Sequence, residues 1–258
     1  MDQFVEAAKI AHDCGADGID FKNCHGYLGS QLVRPYNDRK WKYGGSFENR
    51  TRLLVETVDR VRAELGDKGR VVTRLGIYDA IPYPYGWGVN KDEYTKADLT
   101  EPKMLIGTLK DRGVDLIDIT VANPYYNPHV GRPFNEPIVG GYAEPEHPLV
   151  GVARLVDLTA QIQKTYPDMA LVGTGYSWLR TLFANVGAAV GDMVFVLEPK
   201  GYSLWYTLNG SNTVRRISIN LPAGGSSRAV KLSPPAIITP LMTAAPAGSP
   251  PGESRPSR

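Results

Sequence analysis

The chain opens on a helical pattern. Phe4, Ala7, Ala8 and Ala11 recur at the spacing of one helix face, a polar turn runs from Asp13 to Asp17, and Gly18-Ile19-Asp20-Phe21-Lys22 reads as a short strand. A second helix is marked by Leu54, Val58, Val61 and Leu65, with Ser46 as its N-cap and Gly66 as its stop, before a strand from Val71 to Leu75. The alternation repeats with Pro102 near a helix start, Leu105 and Leu109 on one face, Gly113 at the end, and a strand from Val114 to Thr120. A fourth helix carries Val152, Leu155, Val156, Thr159 and Ile162 and stops at Tyr166-Pro167. Met169 to Gly173 then reads as a strand, and Leu182, Phe183, Val186 and Val190 as a fifth helix. Met193 to Leu197 is a doubtful fifth strand.

Helices alternating with short apolar strands imply parallel βα units, and periodicity alone admits either a barrel or an open doubly wound sheet. About five such units fit in residues 1–197, whereas a closed barrel of this kind takes eight. The pattern breaks near residue 198. Eight of the 20 prolines fall between 222 and 256, and Glu253 is the sole acidic residue beyond Lys200. Residues 198–258 therefore read as a separate Pro-, Gly- and Ser-rich tail. Within it, Tyr202 to Leu208 and Thr213 to Leu221 flank Asn209-Gly210-Ser211-Asn212 as a hairpin, and Pro222 to Arg258 reads as disordered.

Composition narrows the partners. With 258 residues and 42% hydrophobic residues the chain can bury a sizeable core. Its 29 basic against 27 acidic residues give no electrostatic footprint for nucleic acid or a membrane surface, and favour a small-molecule partner. No leader pattern opens the sequence and no apolar run reaches the ~20 residues of a membrane span, so the expected location is the cytoplasm. Cys14 and Cys24 match neither a disulfide framework nor zinc-knuckle spacing; both read as reduced, and Cys14 as core.

The densest chemistry follows the first strand, in Lys22-Asn23-Cys24-His25-Gly26-Tyr27-Leu28, and continues to Tyr43-Gly44-Gly45-Ser46-Phe47-Glu48-Asn49-Arg50. Parallel barrels open their active sites at such strand ends, where Lys22, His25 and Tyr27 can converge to polarise a carbonyl oxygen and deliver a proton. The bland alternative, in which His25 caps a turn, Tyr27 packs under a loop and Lys22 reaches solvent, stands at even weight on spacing alone. Arg74 sits in an apolar strand, where a cation is costly unless paired. Gly173-Thr174-Gly175 lies at a strand-to-helix turn, with free amides for a phosphate or simply a tight turn. Tyr125, Tyr126, His129 and His147 fall in a long loop from Asn123 to Pro148, readable as a lid or as irregular solvated chain. Tyr83, Tyr85 and Trp87 stack on substrate or pack as a rigid turn.

The His-Gly-Tyr-Leu block followed by Gly-Gly-Ser-x-x-Asn-Arg resembles the old yellow enzyme family of NAD(P)H:flavin oxidoreductases, over about Phe4 to Val190. The resemblance implies an incomplete FMN-binding (β/α)8 barrel, with N-terminal units preceding this segment, and hydride passing from NAD(P)H to flavin to an activated alkene or similar acceptor. It implies Tyr27 as proton donor and His25 as second member of the substrate-anchoring pair. The first member is Lys22 here, as in a subgroup of the family. It further implies Arg74 against the flavin's pyrimidine edge, and Gly173 and Gly175 at its phosphate. The family's phosphate-gripping Gly-Arg pair is missing from Val196 to Lys200, and no cysteine follows Cys24, so no iron-sulfur cluster is expected. Two other readings stay open. One is a non-catalytic remnant that self-associates through an incomplete barrel edge; the other is an aldolase-type barrel in which a desolvated Lys22 forms a Schiff base.

Overall fold

A computed structural model of the chain describes residues 1–137, 139–182, 186–187, 194–198, 201–207, 214–220 and 236–237. Helix α1 (Asp2–Asp13) leads into strand β1 (Gly18–Asn23) and the short helix α2 (Leu28–Val33). Helix α3 (Phe47–Leu65) precedes β2 (Arg70–Tyr78), α4 (Thr100–Asp111) precedes β3 (Leu116–Val121), and the short α5 (Pro128–Gly131) and long α6 (Pro148–Thr165) precede β4 (Ala170–Val172). A 3-10 turn spans Tyr176–Leu182.

The boundaries have local causes. Ser46 caps α3 by accepting the Asn49 backbone N–H at 3.3 Å, and Gly66 leaves the helix at φ 57°, where a Cβ would be strained. Pro148 opens α6, where its missing N–H is no loss, and the helix ends at Tyr166, ahead of Pro167.

β1 to β4 form one parallel sheet in sequence order, the arrangement of consecutive βα units in an α/β barrel. The sheet does not close: β1 and β4 stand at its two edges among the described residues. Among the described residues four strands, not five, build it. Val194–Glu198 (β5) is a strand, but it pairs antiparallel with β6 (Gly201–Thr207), which pairs with β7 (Val214–Asn220) and so to β8 (Ala236–Ile237). The expected hairpin is thus the β6–β7 pair; its turn, most of the tail beyond it, and most of the expected fifth helix lie outside the described residues.

Register separates the two faces of the parallel sheet by number. Gly18 pairs with Arg70, Val72 with Leu116 and Leu116 with Ala170, so up to Gly76 and Thr120 every even position lies on one face and every odd position on the other. The odd face carries Phe21, Val71, Thr73, Leu75, Ile117, Ile119 and Leu171, all buried, packed with Val58 and Val61 of α3, Leu105, Ile106 and Leu109 of α4, and Leu155 and Ile162 of α6. Each such aliphatic side chain contributes about 1.5–3 kcal/mol by leaving water. The even face carries Asp20, Lys22, Val72, Arg74, Leu116 and Asp118, all partly or fully exposed, together with Thr120 and Val172, which are buried. The core therefore lies between the sheet and its helices, and the polar side chains are left on the other face. Cys14 is exposed rather than core, because it is the residue on which α1 ends and the chain turns away. Cys24 is buried.

Candidate active site at the strand ends

The loops that follow β1, β2 and β3 gather at the carboxyl ends of those strands. After β1, His25 and Gly26 take consecutive left-handed conformations (φ 61° and 74°), folding the chain back so that Tyr27 begins α2. For His25 this conformation is uncommon and must be held by its surroundings. The Gln31 side-chain amide donates to the Gly26 carbonyl at 3.1 Å, and a Cβ on Gly26 would approach the Asn123 amide to 3.1 Å. Gln31 also accepts from Arg34 Nη1 and Tyr36 Oη, and Arg34 Nε donates to Asp79 Oδ2 at 2.9 Å, both side chains being buried. Asp79, directly after β2, accepts the Trp87 backbone N–H as well. A buried polar chain thus runs from the β2 loop to the His25-Gly26 turn.

Lys22 and Tyr27 meet at this opening, and His25 lies on the turn between them, where the Lys22 charge acts on it. Lys22 Nζ lies 3.6 Å from the centroid of the Tyr27 ring, a cation–π contact, and the Tyr27 hydroxyl stands 3.4 Å from that of Tyr125 in the loop after β3. Tyr27 is 51% exposed, so the phenol can reach an incoming molecule. Burial, followed by the positive charges of Arg74, Lys22 and Arg132, lowers the His25 pKa to about 4. The ring is therefore neutral at physiological pH. Beside Lys22 and Tyr27 an apolar groove of about 260 Å³ is lined by Phe4, Phe21, Leu28 and Leu54.

Arg74 pairs in register with Lys22 on one side and Asp118 on the other. Its Nε lies 3.0 Å from Asp118 Oδ2, yet this buried N–H makes no hydrogen bond, so the contact is an ion pair with one donor left over. Its side chain is 42% exposed on the open even face. Burial raises Asp118 to about 6 against the pull of Arg74, with Asp20 adding to the rise. Asp20 is itself raised by burial, opposed by a backbone hydrogen bond to Arg74 and by the Arg74 charge. A planar guanidinium part exposed on an open face fits the carbonyl-bearing edge of a flavin ring.

Gly173 and Gly175 lie just past β4, apart from the Lys22-His25-Tyr27 group in sequence but at the same strand ends. Gly175 has φ 88°, and a Cβ there would meet Leu155 Cδ1 at 2.8 Å, so backbone conformation and packing against α6 already require glycine. The segment that follows is the 3-10 turn Tyr176–Leu182. Of the aromatic residues set aside at the level of sequence, Trp87 is buried and donates its indole N–H to the Gly76 carbonyl, a rigid turn, whereas Tyr125 faces the site. Asp118 went unnoticed because one acid inside Leu-Ile-Asp-Ile-Thr carries no signal until register sets it beside Arg74. No helix among the described residues is long and apolar enough to cross a membrane.

The chain is similar to known proteins in sequence and fold. The sequence profile of the NADH:flavin oxidoreductase / NADH oxidase family matches residues 1–183. An NADH:flavin oxidoreductase of Gibberella zeae is 32% identical over 174 residues, covering 66% of this chain and 37% of that protein. An NADPH dehydrogenase of Clostridium acetobutylicum is 34% identical over 118 residues, covering 45% of this chain and 31% of its own length. Among solved structures, 6-hydroxypseudooxynicotine amine oxidase of Pseudomonas geniculata superposes on 72% of this chain and 23% of its own with a TM-score of 0.50 at 23% identity, a likeness of fold. The chain spans little more than a third of the first relative it matches. With the match covering most of its length, the chain belongs to the NADH:flavin oxidoreductase / NADH oxidase family, whose cofactors are FMN and NAD(P)H.

Proposed function

We propose that this chain carries the acceptor-side half of an FMN-dependent oxidoreductase site of the ene-reductase type, acting on a small molecule with an activated alkene or similar acceptor. The observation that carries the reading is the contact of Lys22 with Tyr27 at the end of β1, with Lys22 Nζ 3.6 Å from the Tyr27 ring, His25 on the turn between them and Arg74 on the adjacent strand. Flavin, when bound, supplies the hydride. Lys22 and the neutral His25 donate hydrogen bonds to the acceptor's carbonyl oxygen, where negative charge develops. The Tyr27 hydroxyl, exposed and next to the Tyr125 hydroxyl, delivers the proton, and the apolar groove beside it holds the rest of the molecule. Arg74 would hold the pyrimidine edge of the ring, and the Gly173 and Gly175 amides its phosphate.

The reading is tested by incubating the chain with FMN, removing the excess and recording the visible spectrum, then measuring NAD(P)H consumption with unsaturated carbonyls. Retained flavin bands and turnover reduced ~100-fold or more in Tyr27→Phe are expected; a Tyr27→Phe variant with unchanged turnover removes Tyr27 from the reaction. A second reading, a non-catalytic remnant that associates with another chain, is favoured by the strand edges of β1 and β4, which lack partners among the described residues. It expects colourless protein whose sedimentation depends on concentration. The Schiff-base reading asks for a desolvated lysine, and Lys22 is exposed.

A further inference from the structure

Among the described residues Arg74 is the one cation of the even face placed between two carboxylates, Asp118 in register beside it and Asp20 diagonal to it on β1. The ion pair with Asp118 is close, at 3.0 Å, but it leaves the buried Nε–H without a hydrogen bond. A carboxylate in that place does to Arg74 what the carbonyl edge of a ring ligand would do: it supplies negative potential to the guanidinium. While the carboxylate holds the guanidinium by its charge, the guanidinium is not free to turn to a ligand. We propose that Asp118 is a built-in competitor for Arg74, which a flavin ring entering over β2 must displace, so that Asp118 sets the affinity of the site and makes it depend on pH. This rests on the flavin reading above and goes beyond it, by assigning to Asp118 a role in binding.

The sign follows from what surrounds the carboxylate. Asp118 faces Arg74 from β2 and Asp20 from β1 and lies within electrostatic reach of the Cys24 thiol, with Lys22, His25 and Arg132 at the mouth and the apolar Ala170 and Val172 on β4. Burial already works against its ionised form and holds its pKa near 6. Above that pH the carboxylate engages Arg74; below it the neutral acid releases the guanidinium to the ligand. Flavin affinity accordingly rises as the solution is acidified. His25 stays neutral over most of this interval, since its own pKa lies at about 4.

The test uses riboflavin as the probe, because the FMN phosphate titrates at about pH 6 and would mask the effect. Binding to the full chain is measured between pH 5 and pH 8 for the parent and for Asp118→Asn, and the Arg74 Nε–Hε resonance, assigned by its loss in Arg74→Lys, is followed without flavin. Expected is an Arg74 resonance that moves with pH in the parent and stays fixed in Asp118→Asn. Asp118→Asn is also expected to bind riboflavin roughly five-fold tighter at pH 8, the weight of an ion pair at the edge of solvent, with the advantage gone at pH 5. An Arg74 resonance indifferent to pH and to the substitution overturns the pairing. Intact coupling with no gain in riboflavin affinity at pH 8 overturns the competition. Coupling with no flavin bound by either protein at any pH removes the flavin reading itself and leaves Asp118 as a structural ion pair.

Discussion

Removing one partner of the buried Arg34–Asp79 pair is expected to cost the fold more than removing both charges. The two side chains are 7% and 6% exposed, with Arg34 Nε donating to Asp79 Oδ2 at 2.9 Å. Arg34 Nη1 is held by Gln31, whereas Nη2 has no partner. Asp79→Asn keeps an acceptor for the Trp87 N–H but leaves a buried guanidinium without its counter-charge, a situation that costs ~3–5 kcal/mol. Arg34→Met strands a buried carboxylate and should cost a similar amount. In the double variant Arg34→Met/Asp79→Asn the charge is gone from both sides and the Trp87 N–H is still accepted, so the loss should fall below either single substitution, to about 1–2 kcal/mol. Urea unfolding followed by tryptophan fluorescence measures all four proteins, with the slope checked for constancy. A double variant whose loss equals the sum of the two singles within ~0.5 kcal/mol would mean the charges do not feel each other, and the argument from burial would be wrong. Because Gln31 links this pair to the Gly26 carbonyl, the single variants should also disturb the amide resonances of His25 and Gly26, which lie more than 50 positions from Asp79 in sequence and are linked to it only in the folded chain.

Other expectations follow from the same contacts. His25, read by its imidazole resonances, should titrate near pH 4; because its folded value lies below the ordinary 6.5, its contribution to stability is present above about 6.5 and is lost as pH falls toward 4, and His25→Gln should flatten that stretch of the stability profile. Ser46→Ala should cost about 1 kcal/mol by leaving the Asn49 N–H uncapped, measurable as a lower urea midpoint, and Ser46→Asp should restore it. Ile117→Ala, on the helix-covered face, should cost ~2–5 kcal/mol, while Lys22→Ala on the open face should change stability by less than ~0.5 kcal/mol; equal losses would contradict the division of the sheet.

The long periodic segments were legible because their hydrophobic faces are the ones buried: Val58, Val61, Leu105 and Leu109 mark helices and are fully enclosed. The Ser46 cap and the Gly66 stop were equally plain, each needing a single residue type for a stated reason. Helix α2 was hidden, since Leu28–Val33 is six residues long and contains Gly29. That glycine has a tertiary cause: a Cβ there would collide with the Asn23 side-chain oxygen, a contact no periodicity reveals. Met193 to Leu197 reads as a strand in either a parallel or an antiparallel sheet, so only pairing could move it to the second sheet. At the site, Lys22, His25 and Tyr27 announced themselves by sitting within six residues at the end of a strand, whereas the Arg34–Asp79 link and the Arg74–Asp118 contact join residues 45 and 44 positions apart and exist only in the folded chain.

The odd and even numbering of β1, β2 and β3 has a consequence for how such a chain changes over generations. Odd positions answer to the helices behind the sheet, so a substitution there is judged by volume and apolarity; even positions answer to whatever molecule enters from the front. One strand thus carries two independent sets of instructions, interleaved residue by residue. A lineage can exchange Lys22, Arg74 or Asp118 and acquire a different chemistry with its folding undisturbed, and a library confined to even codons would search function while leaving the odd ones to keep the protein in one piece.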